Sequence, residues 1–409
     1  MLLMGMATET IELSGHIVDS LLLAKVLDTI VEAGIAYDLA DVEIGRTNTD
    51  PSRARIQLEG DQGELDRLIE SLQLHGANRV TSGDLTLATA DRDGVLPAGF
   101  YSTTNLATDV LIDGEWASVE NPEMDCGLVV DGRRVRTIPM HRVQAGDQIV
   151  VGHGGVRVHA PSKQRGASVF EFMNSEVSSE KPKALVVQQV ADQIRAAHAD
   201  GGKVLAVCGP AVVHTGGAPD IARLVDGGWI DVLFAGNGFA THDIESNVLG
   251  TSLGVLLAEG TLTEGGHSNH LRVINEVRRF GSIAAAVEAG YVTEGAMATC
   301  VRKGVPFVLG GSIRDDGPLP DVYRDTAEAA DAMREHIPGV TVALMLASTL
   351  HAIAVGNCLP AGVETFCVDI NQAVVTKLAD RGSHQAHGIV TDVGPFLGQL
   401  ADALCGSGG

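Results

Sequence analysis

Along residues 9–90 the apolar positions switch between a period of two and a helical period. Thr10–Ile17 alternates like a strand. Asp19–Ala33 then carries Leu22, Val26, Leu27, Ile30 and Val31 at helical spacing, and Gly34 stops it. Tyr37–Gly45 and Arg55–Glu59 read as strands joined by a polar turn over Asn48–Ser52. Gly63–His75 repeats the helical pattern through Leu65, Leu68, Ile69 and Leu72, and a last strand falls near Arg79–Ser82. The order β-α-β-β-α-β predicts a ferredoxin-like α+β domain over residues 1–90, a unit that usually regulates or assembles.

From 91 to 165 the helical period disappears. Short apolar segments alternate with Gly and Asp turns: Asp109–Ile112, Gly127–Val130, Val135–Ile138, Gln148–Val151 and Gly155–His159. Asp113-Gly114 and Asp131-Gly132 are hairpin signals, and the region predicts a small β-barrel or sandwich. Residues 166–409 alternate strand and helix, the pattern of a Rossmann-like parallel sheet with helices on both faces. Its expected strands are Lys203–Val207, Ile230–Ala235, Pro306–Leu309, Thr341–Leu346, Thr365–Val368 and Gly388–Val390. Helices are expected at 182–198, 219–226, 269–280, 283–303, 323–336, 348–357 and 371–381.

Charge narrows the partners. With 29 Lys+Arg against 52 Asp+Glu the formal net charge is −23, which argues against nucleic acid or an anionic membrane. Residues 1–90 hold 15 acidic and six basic side chains, a solvated surface. Glycine is abundant at 49 of 409 residues, which suits loops that approach a ligand closely. The six cysteines form no Cys-x-x-Cys pair, so buried thiols in a reducing cytoplasm are expected. The N-terminus lacks the basic and apolar regions of a signal peptide. Val340–Val363 carries no Asp, Glu, Lys or Arg and is long enough to span a bilayer, but its polar residues and glycines predict a buried strand and a buried helix.

Ligands of open parallel sheets bind beyond the carboxyl ends of the strands. Here those ends run into Cys208–Gly217, then Gly236-Asn237-Gly238 with Asp243 and Glu245, then Gly310–Gly317, Ser348–His351, Asp369–Asn371 and Asp392-Val393. All six make one polar rim. Ser348-Thr349-Leu350-His351 at a strand-to-helix turn can hold a pyrophosphate, and Asp369 stands 21 positions later, where an acidic residue binds ribose hydroxyls. Asp392-Val393 would flank the adenine. The glycine fingerprint is missing from this turn, and Asp369 can equally cap the following helix. Asp243 and Glu245 are candidates for acid–base work or for clamping an ammonium, or else a solvated helix start. Arg314 can pair with a substrate carboxylate or with Asp315 or Asp316. His267-x-x-His270 and His384-x-x-His387 lack the Cys or carboxylate spacing of a metal site, so no metal is expected.

The segments GPAVVHTGG (209–217), ATHDIE (240–245), VPFVLGGSIRDDGPLP (305–320), CVDIN (367–371) and VVTKLADRGS (374–383) resemble the LOR/SDH bifunctional enzyme conserved-domain family. So do SGHIVDS (14–20), IPMHRVQAGDQIVVGHGGVRV (138–158) and FMNSEVSSEKP (172–182), so the resemblance spans nearly the whole chain. That family includes the archaeal-type ornithine cyclodeaminases and the C-terminal half of cyanobacterial arginine dihydrolase/ornithine cyclodeaminase fusions. The dihydrolase half has no counterpart here. The resemblance implies an NAD-containing enzyme that turns L-ornithine into L-proline and ammonia. It implies NAD contacts at Asn237, Gly238, Asp316, Ser348, Thr349, Leu350, His351, Asp369, Asp392 and Val393, with Gly238 standing where the family has alanine. The implied reaction is redox-neutral: the α-hydride is removed and later returned, and in between the δ-amine displaces ammonia. Asp243 and Glu245, then Asp315, are expected to handle the amines, and Arg314 the carboxylate. The alternatives are an NAD-dependent amino- or imino-acid dehydrogenase of saccharopine dehydrogenase type, or an amino-acid sensor that holds NAD. A homodimer or homotetramer is expected.

Overall fold

In the computed structural model of the chain, residues 6–18, 22–46, 50–73, 75–80, 83–159, 183–252, 255–256, 268–315, 317–374 and 386–406 are described. They fall into two units, one formed by Met1–Phe172 with Asn357–Gly362, the other by Met173–Gly356 with Val363–Gly409.

The first unit begins with β1 (Met6–Gly15), α1 (Leu22–Glu32), β2 (Ala36–Glu43), β3 (Ser52–Asp61), α2 (Gln62–Gln73) and β4 (Asn78–Arg79). Its sheet runs β2-β3-β1-β4, antiparallel throughout, which is the ferredoxin-like arrangement. In β3 the alternate residues Ser52, Ala54, Ile56 and Leu58 are buried, as period two requires. Ala54, Ile56 and Leu58 meet Leu65, Ile69 and Leu72 of α2 and Val26 and Ile30 of α1 in one core. On the opposite face Arg53 and Arg55 both pair with Glu12.

Seven short strands follow: β5 (Thr86–Thr89), β6 (Thr108–Ile112), β7 (Glu115–Glu120), β8 (Gly127–Asp131), β9 (Arg134–Ile138), β10 (Gln148–Val151) and β11 (Val156–Val158). Their order is β11-β6-β7-β9-β8-β10-β5. Leu85, just before β5, donates to Leu111 of β6, so the order curls back on itself. Ile112 pairs with Glu115 around Asp113-Gly114, both at positive φ (51° and 75°), a two-residue hairpin turn. Asp131 pairs with Arg134, so the second hairpin turns at Gly132-Arg133, one residue later than the sequence signal. Strands β5 and β7 carry few buried residues and so lack an apolar signal. The two sheets meet where Asn78 Nδ2 donates to Val158 O (2.7 Å) and Val158 N donates to Asn78 Oδ1 (2.8 Å).

The second unit contains α3 (Lys183–Ala199), β12 (Lys203–Cys208), α4 (Ala211–His214), α5 (Ala218–Asp226), β13 (Val232–Gly236), α6 (Asn237–Leu249), β14 (Thr251–Ser252) and β15 (Val255–Leu256). It continues with α7 (Asn269–Phe280), α8 (Ile283–Glu288), α9 (Ala296–Lys303), β16 (Phe307–Gly310), β17 (Val322–Tyr323), α10 (Thr326–His336), β18 (Val340–Leu346), α11 (Leu350–Cys358), β19 (Glu364–Asp369), β20 (Ala386–Val390) and α12 (Val393–Cys405). The sheet is parallel in the order β17-β16-β13-β12-β18-β19-β20. Its six longer strands follow the 3-2-1-4-5-6 order of a Rossmann fold. The central strands read as continuous buried runs because helices cover both faces.

Three expectations change. The helix predicted over 283–303 is two helices, α8 and α9, with Gly290 and Gly295 at positive φ between them. The polar stretch after β13 is not an open rim loop but the buried helix α6. The helix of the Val340–Val363 stretch is only half-buried: Ala352 and Val355 are covered, while Leu350 is exposed. Among the described residues no helix is long and apolar enough to cross a membrane. The predicted strand end at 81–82, the segment 172–182 and most of the helix at 371–381 lie outside the described residues.

Candidate functional site

The strand order reverses between β12 and β18, the switch point at whose carboxyl edge doubly wound sheets bind their ligands. The backbone at this edge is tightly drawn. Gly209, just past β12, donates to Leu346 O of β18 (2.9 Å). A Cβ on Gly209 would lie 1.8 Å from Ala347 O, so only glycine fits. Ala347 itself sits at φ 47°, and its N–H donates to Val368 O of β19 (2.9 Å). Ser348 and Thr349 then lead into α11, whose first N–H groups have no partner within the helix.

Asp369 ends β19 and is nearly buried. Its Oδ1 accepts from Asn371 N (2.7 Å), while Oδ2 has no hydrogen bond among the described residues. Bracing the turn and offering an oxygen to a ribose are therefore compatible. Asp392 caps α12, its Oδ1 accepting from Gly394 N (3.0 Å), and Val393 is buried behind it. His351 reaches across the strand ends: a Cβ on Gly236 would fall 2.7 Å from its Cε1, and one on Gly310 3.3 Å from its Nε2. Burial pushes the His351 imidazole below its ordinary value, partly offset by Asp315.

Asn237 is buried and its Oδ1 accepts from Leu319 N (3.0 Å), tying the 311–321 loop to the start of α6. Gly238 faces Pro210, whose Cγ would stand 3.1 Å from an added Cβ. In the same loop Ser312 N donates to Asp315 Oδ2 (2.8 Å), and the exposed Arg314 makes no ion pair among the described residues. Asp316 lies outside them. Ile313, Leu350 and Ile370 are the three most exposed large apolar residues described, and all stand on this rim. Apolar groups left open around a polar crevice fit a ligand that covers them. Reversal point, helix start, acidic strand end and apolar margin together fit a dinucleotide.

Asp243 and Glu245 are both 0% exposed on α6. Asp243 caps α9 from outside: Ala296 N donates to Oδ1 (3.0 Å) and Met297 N to Oδ2 (2.9 Å). Gly295 makes room, since its Cβ would meet both oxygens within 3 Å. Burial pushes the Asp243 carboxyl up to about 6, against these two N–H groups.

Glu245 points elsewhere. Its Oε2 lies 2.9 Å from His242 Nδ1, and its Oε1 accepts from Thr251 Oγ1 (2.8 Å), which in turn accepts from Asn269 Nδ2 (2.9 Å). The His242 ring meets His214 of α4 edge to face at 4.8 Å and tilts toward His270 of α7 at 6.3 Å. Burial lowers the His214 imidazole, and His242 lowers it further. A groove of about 770 Å³ opens beside His214, bounded by Arg223, Glu294 and Arg302. Sequence reasoning does not single out His242 or Thr251 and weighs His270 only for metal. The (i, i+3) spacing of His242 and Glu245 is the available signal. Of the metal-candidate histidines, His267 and His384 lie outside the described residues, and His387 pairs with Glu364 (2.5 Å).

A family model described as arginine dihydrolase ArgZ-like, C-terminal, Rossmann fold matches residues 188–400. A second, for the first region of that C-terminal part, matches 107–187, and the LOR/SDH bifunctional enzyme conserved region matches 8–106. The chain is 49% identical over 400 residues to an ornithine cyclodeaminase of Methanopyrus kandleri, with 97% of each chain covered. Apo ArgZ, an arginine dihydrolase from the ornithine–ammonia cycle in cyanobacteria, matches with a TM-score of 0.84 at 36% identity, covering 98% of this chain and 58% of ArgZ. The ternary complex of AgrE with ornithine and NAD⁺ matches with a TM-score of 0.54 at 40% identity, again covering 98% of this chain and 58% of that one. AgrE is a bifunctional arginine dihydrolase/ornithine cyclodeaminase of Nostoc sp..

Proposed function

The chain belongs to the arginine dihydrolase ArgZ-like C-terminal family, and from that premise we propose how its residues convert L-ornithine to L-proline and ammonia with NAD. The cyclodeaminase activity and the NAD requirement follow from full-length relatives and from the ornithine–NAD⁺ complex of AgrE. The observation that carries the assignment of residues is the carboxyl rim at the β12–β18 reversal, with Asp369 at the end of the next strand.

Ser348, Thr349, Leu350 and His351 would hold the pyrophosphate side of NAD, and Asp369 the ribose. Asp392 and Val393 would flank the adenine, and Asn237, Gly238 and Asp316 would close the nicotinamide side. Bound NAD⁺ supplies a hydride acceptor that is restored within one turnover. The chain must then hold an amino acid beside it and manage two amines. Arg314, free of ion pairs among the described residues, suits the substrate carboxylate. Asp315 suits an ammonium. Asp243, with both oxygens committed to α9, acts by holding the N-terminus of that helix in place. Glu245 keeps a part in proton handling through His242, whose Nδ1 it holds at 2.9 Å.

The same reading divides the chain at residues 90 and 165 into ferredoxin-like, β and catalytic domains. It also makes the protein a cytoplasmic homodimer or homotetramer. The test is incubation with ornithine, with and without NAD⁺, scoring proline, ammonia and NADH. Equal proline and ammonia with no net NADH is expected. Net NADH would mean a dehydrogenase, and binding without turnover would mean a sensor.

A further inference from the structure

Resting on the cyclodeaminase reading, we propose that His242 is the proton acceptor for the substrate ammonium and that Glu245 is its positioning residue. Glu245 is wholly buried and both of its oxygens are occupied, by His242 Nδ1 (2.9 Å) and Thr251 Oγ1 (2.8 Å). Wholly buried, and with each oxygen already engaged by a side chain, it acts through the ring it holds. A carboxylate only accepts, so the His242 tautomer is set with its proton on Nδ1 and its basic lone pair on Nε2. A buried carboxylate that fixes an imidazole in this way is the usual arrangement for a side-chain base.

The placement agrees. α6 follows directly on Gly236, the carboxyl end of β13, and His242 lies in its first two turns. α4 follows the carboxyl end of the neighbouring strand β12 and brings His214 against the same ring. His270 approaches from α7, and Thr251 and Asn269 complete the support of Glu245.

The reaction requires this kind of group. Ornithine with two ammonium groups becomes zwitterionic proline and one ammonium ion, so no proton is gained or lost overall. Both nitrogens need a lone pair to react, so two protons leave the ammonium groups and two return, one with the departing ammonia and one on the proline nitrogen; His242 handles the first of them. In the first step the proton moves from the substrate nitrogen to Nε2, and the N–H pair stays on nitrogen as its lone pair. The same proton leaves Nε2 for the departing ammonia.

The test compares His242→Ala, Glu245→Gln and the double variant in the full-length protein with NAD⁺. Single His242→Ala should lower kcat by about 10²–10³ with KM for ornithine changed less than about twofold. Added imidazole should restore part of that loss. Glu245→Gln should lower kcat by about 10–100-fold, and the double variant should be no slower than His242→Ala, because the two act as a unit. NAD⁺ affinity by calorimetry should stay within about twofold throughout, which reports a folded site independently of turnover. A His242→Ala protein with wild-type kcat, or additive losses in the double variant, would overturn the proposal. Failure of the wild-type protein to make proline from ornithine would instead overturn the cyclodeaminase reading beneath it.

Discussion

Replacing Gly209 by alanine tests how tightly the backbone is drawn at the β12–β18 reversal. The added Cβ would stand 1.8 Å from Ala347 O, where real contacts stay beyond 3.0 Å, so the two turns must part by about 1.2 Å. The obstacle is backbone, and no rotamer relieves it. Moving it breaks the hydrogen bond from Gly209 N to Leu346 O. Overpacking costs about 1–3 kcal/mol and an abandoned buried pair about 1–3 more, so about 4 kcal/mol in all. For a unit of this size that is a fall in melting temperature of about 8–16 °C. NAD⁺ affinity should fall more than about tenfold, because the Ser348–His351 turn moves with Ala347. Gly238→Ala is the control. Its Cβ meets only the Pro210 ring, Cγ at 3.1 Å and Cβ at 3.8 Å, in a helix where alanine is favoured, so stability should change by less than about 1 kcal/mol. Differential scanning fluorimetry and calorimetry with NAD⁺ read both quantities. A Gly209→Ala protein melting within about 3 °C of wild type would mean that the two turns have room to part.

Three further outcomes follow. Asp369→Ala should weaken NAD⁺ binding by about 10–100-fold in a calorimetric titration while leaving the sheet intact, since a charge-assisted hydrogen bond contributes about 1.5–3 kcal/mol. Burial raises the Asp109 carboxyl, but hydrogen bonds from Arg157, His159 and Ser118 outweigh it and hold the group below its ordinary value. Its stabilisation is present above the unfolded pKa near 3.9 and lost as pH falls through the folded one, so the deficit of Asp109→Asn in thermal melts should shrink below about pH 4. Asp243 has the opposite sign: with its carboxyl raised to about 6, its contribution is complete below about pH 3.9 and lost as pH rises through 6. Wild type minus Asp243→Asn stability, measured by denaturant titration, should therefore change by about 3 kcal/mol between pH 4 and 7, and a flat difference would contradict it. The same variant should bind NAD⁺ yet lose turnover.

Elements whose burial is periodic are legible in the sequence. Leu65, Leu68, Ile69 and Leu72 announce α2, and the apolar run Val342–Leu346 of β18 announces a strand covered on both faces. What escapes a sequence reading shares one cause. Helix α6 has apolar, polar and charged residues buried all round, so no face of it reads as amphipathic. Asp243 and Glu245 resemble solvated acids because sequence alone does not show which charges acquire partners. Asp243 finds its partners 53 and 54 residues away, at Ala296 and Met297. Conversely, Asp369 is legible as an acidic residue at a strand end, because local strand and turn chemistry sets that position.

The alternation of elements, the glycine-marked turns and the acids at strand ends are legible along the chain, since these depend on neighbours a few residues apart. The strand order 3-2-1-4-5-6, the division of labour between Asp243 and Glu245, and the gathering of His214, His242 and His270 were decided only in three dimensions. Each depends on which distant segments pack together, and burial then dictates which polar groups must find partners.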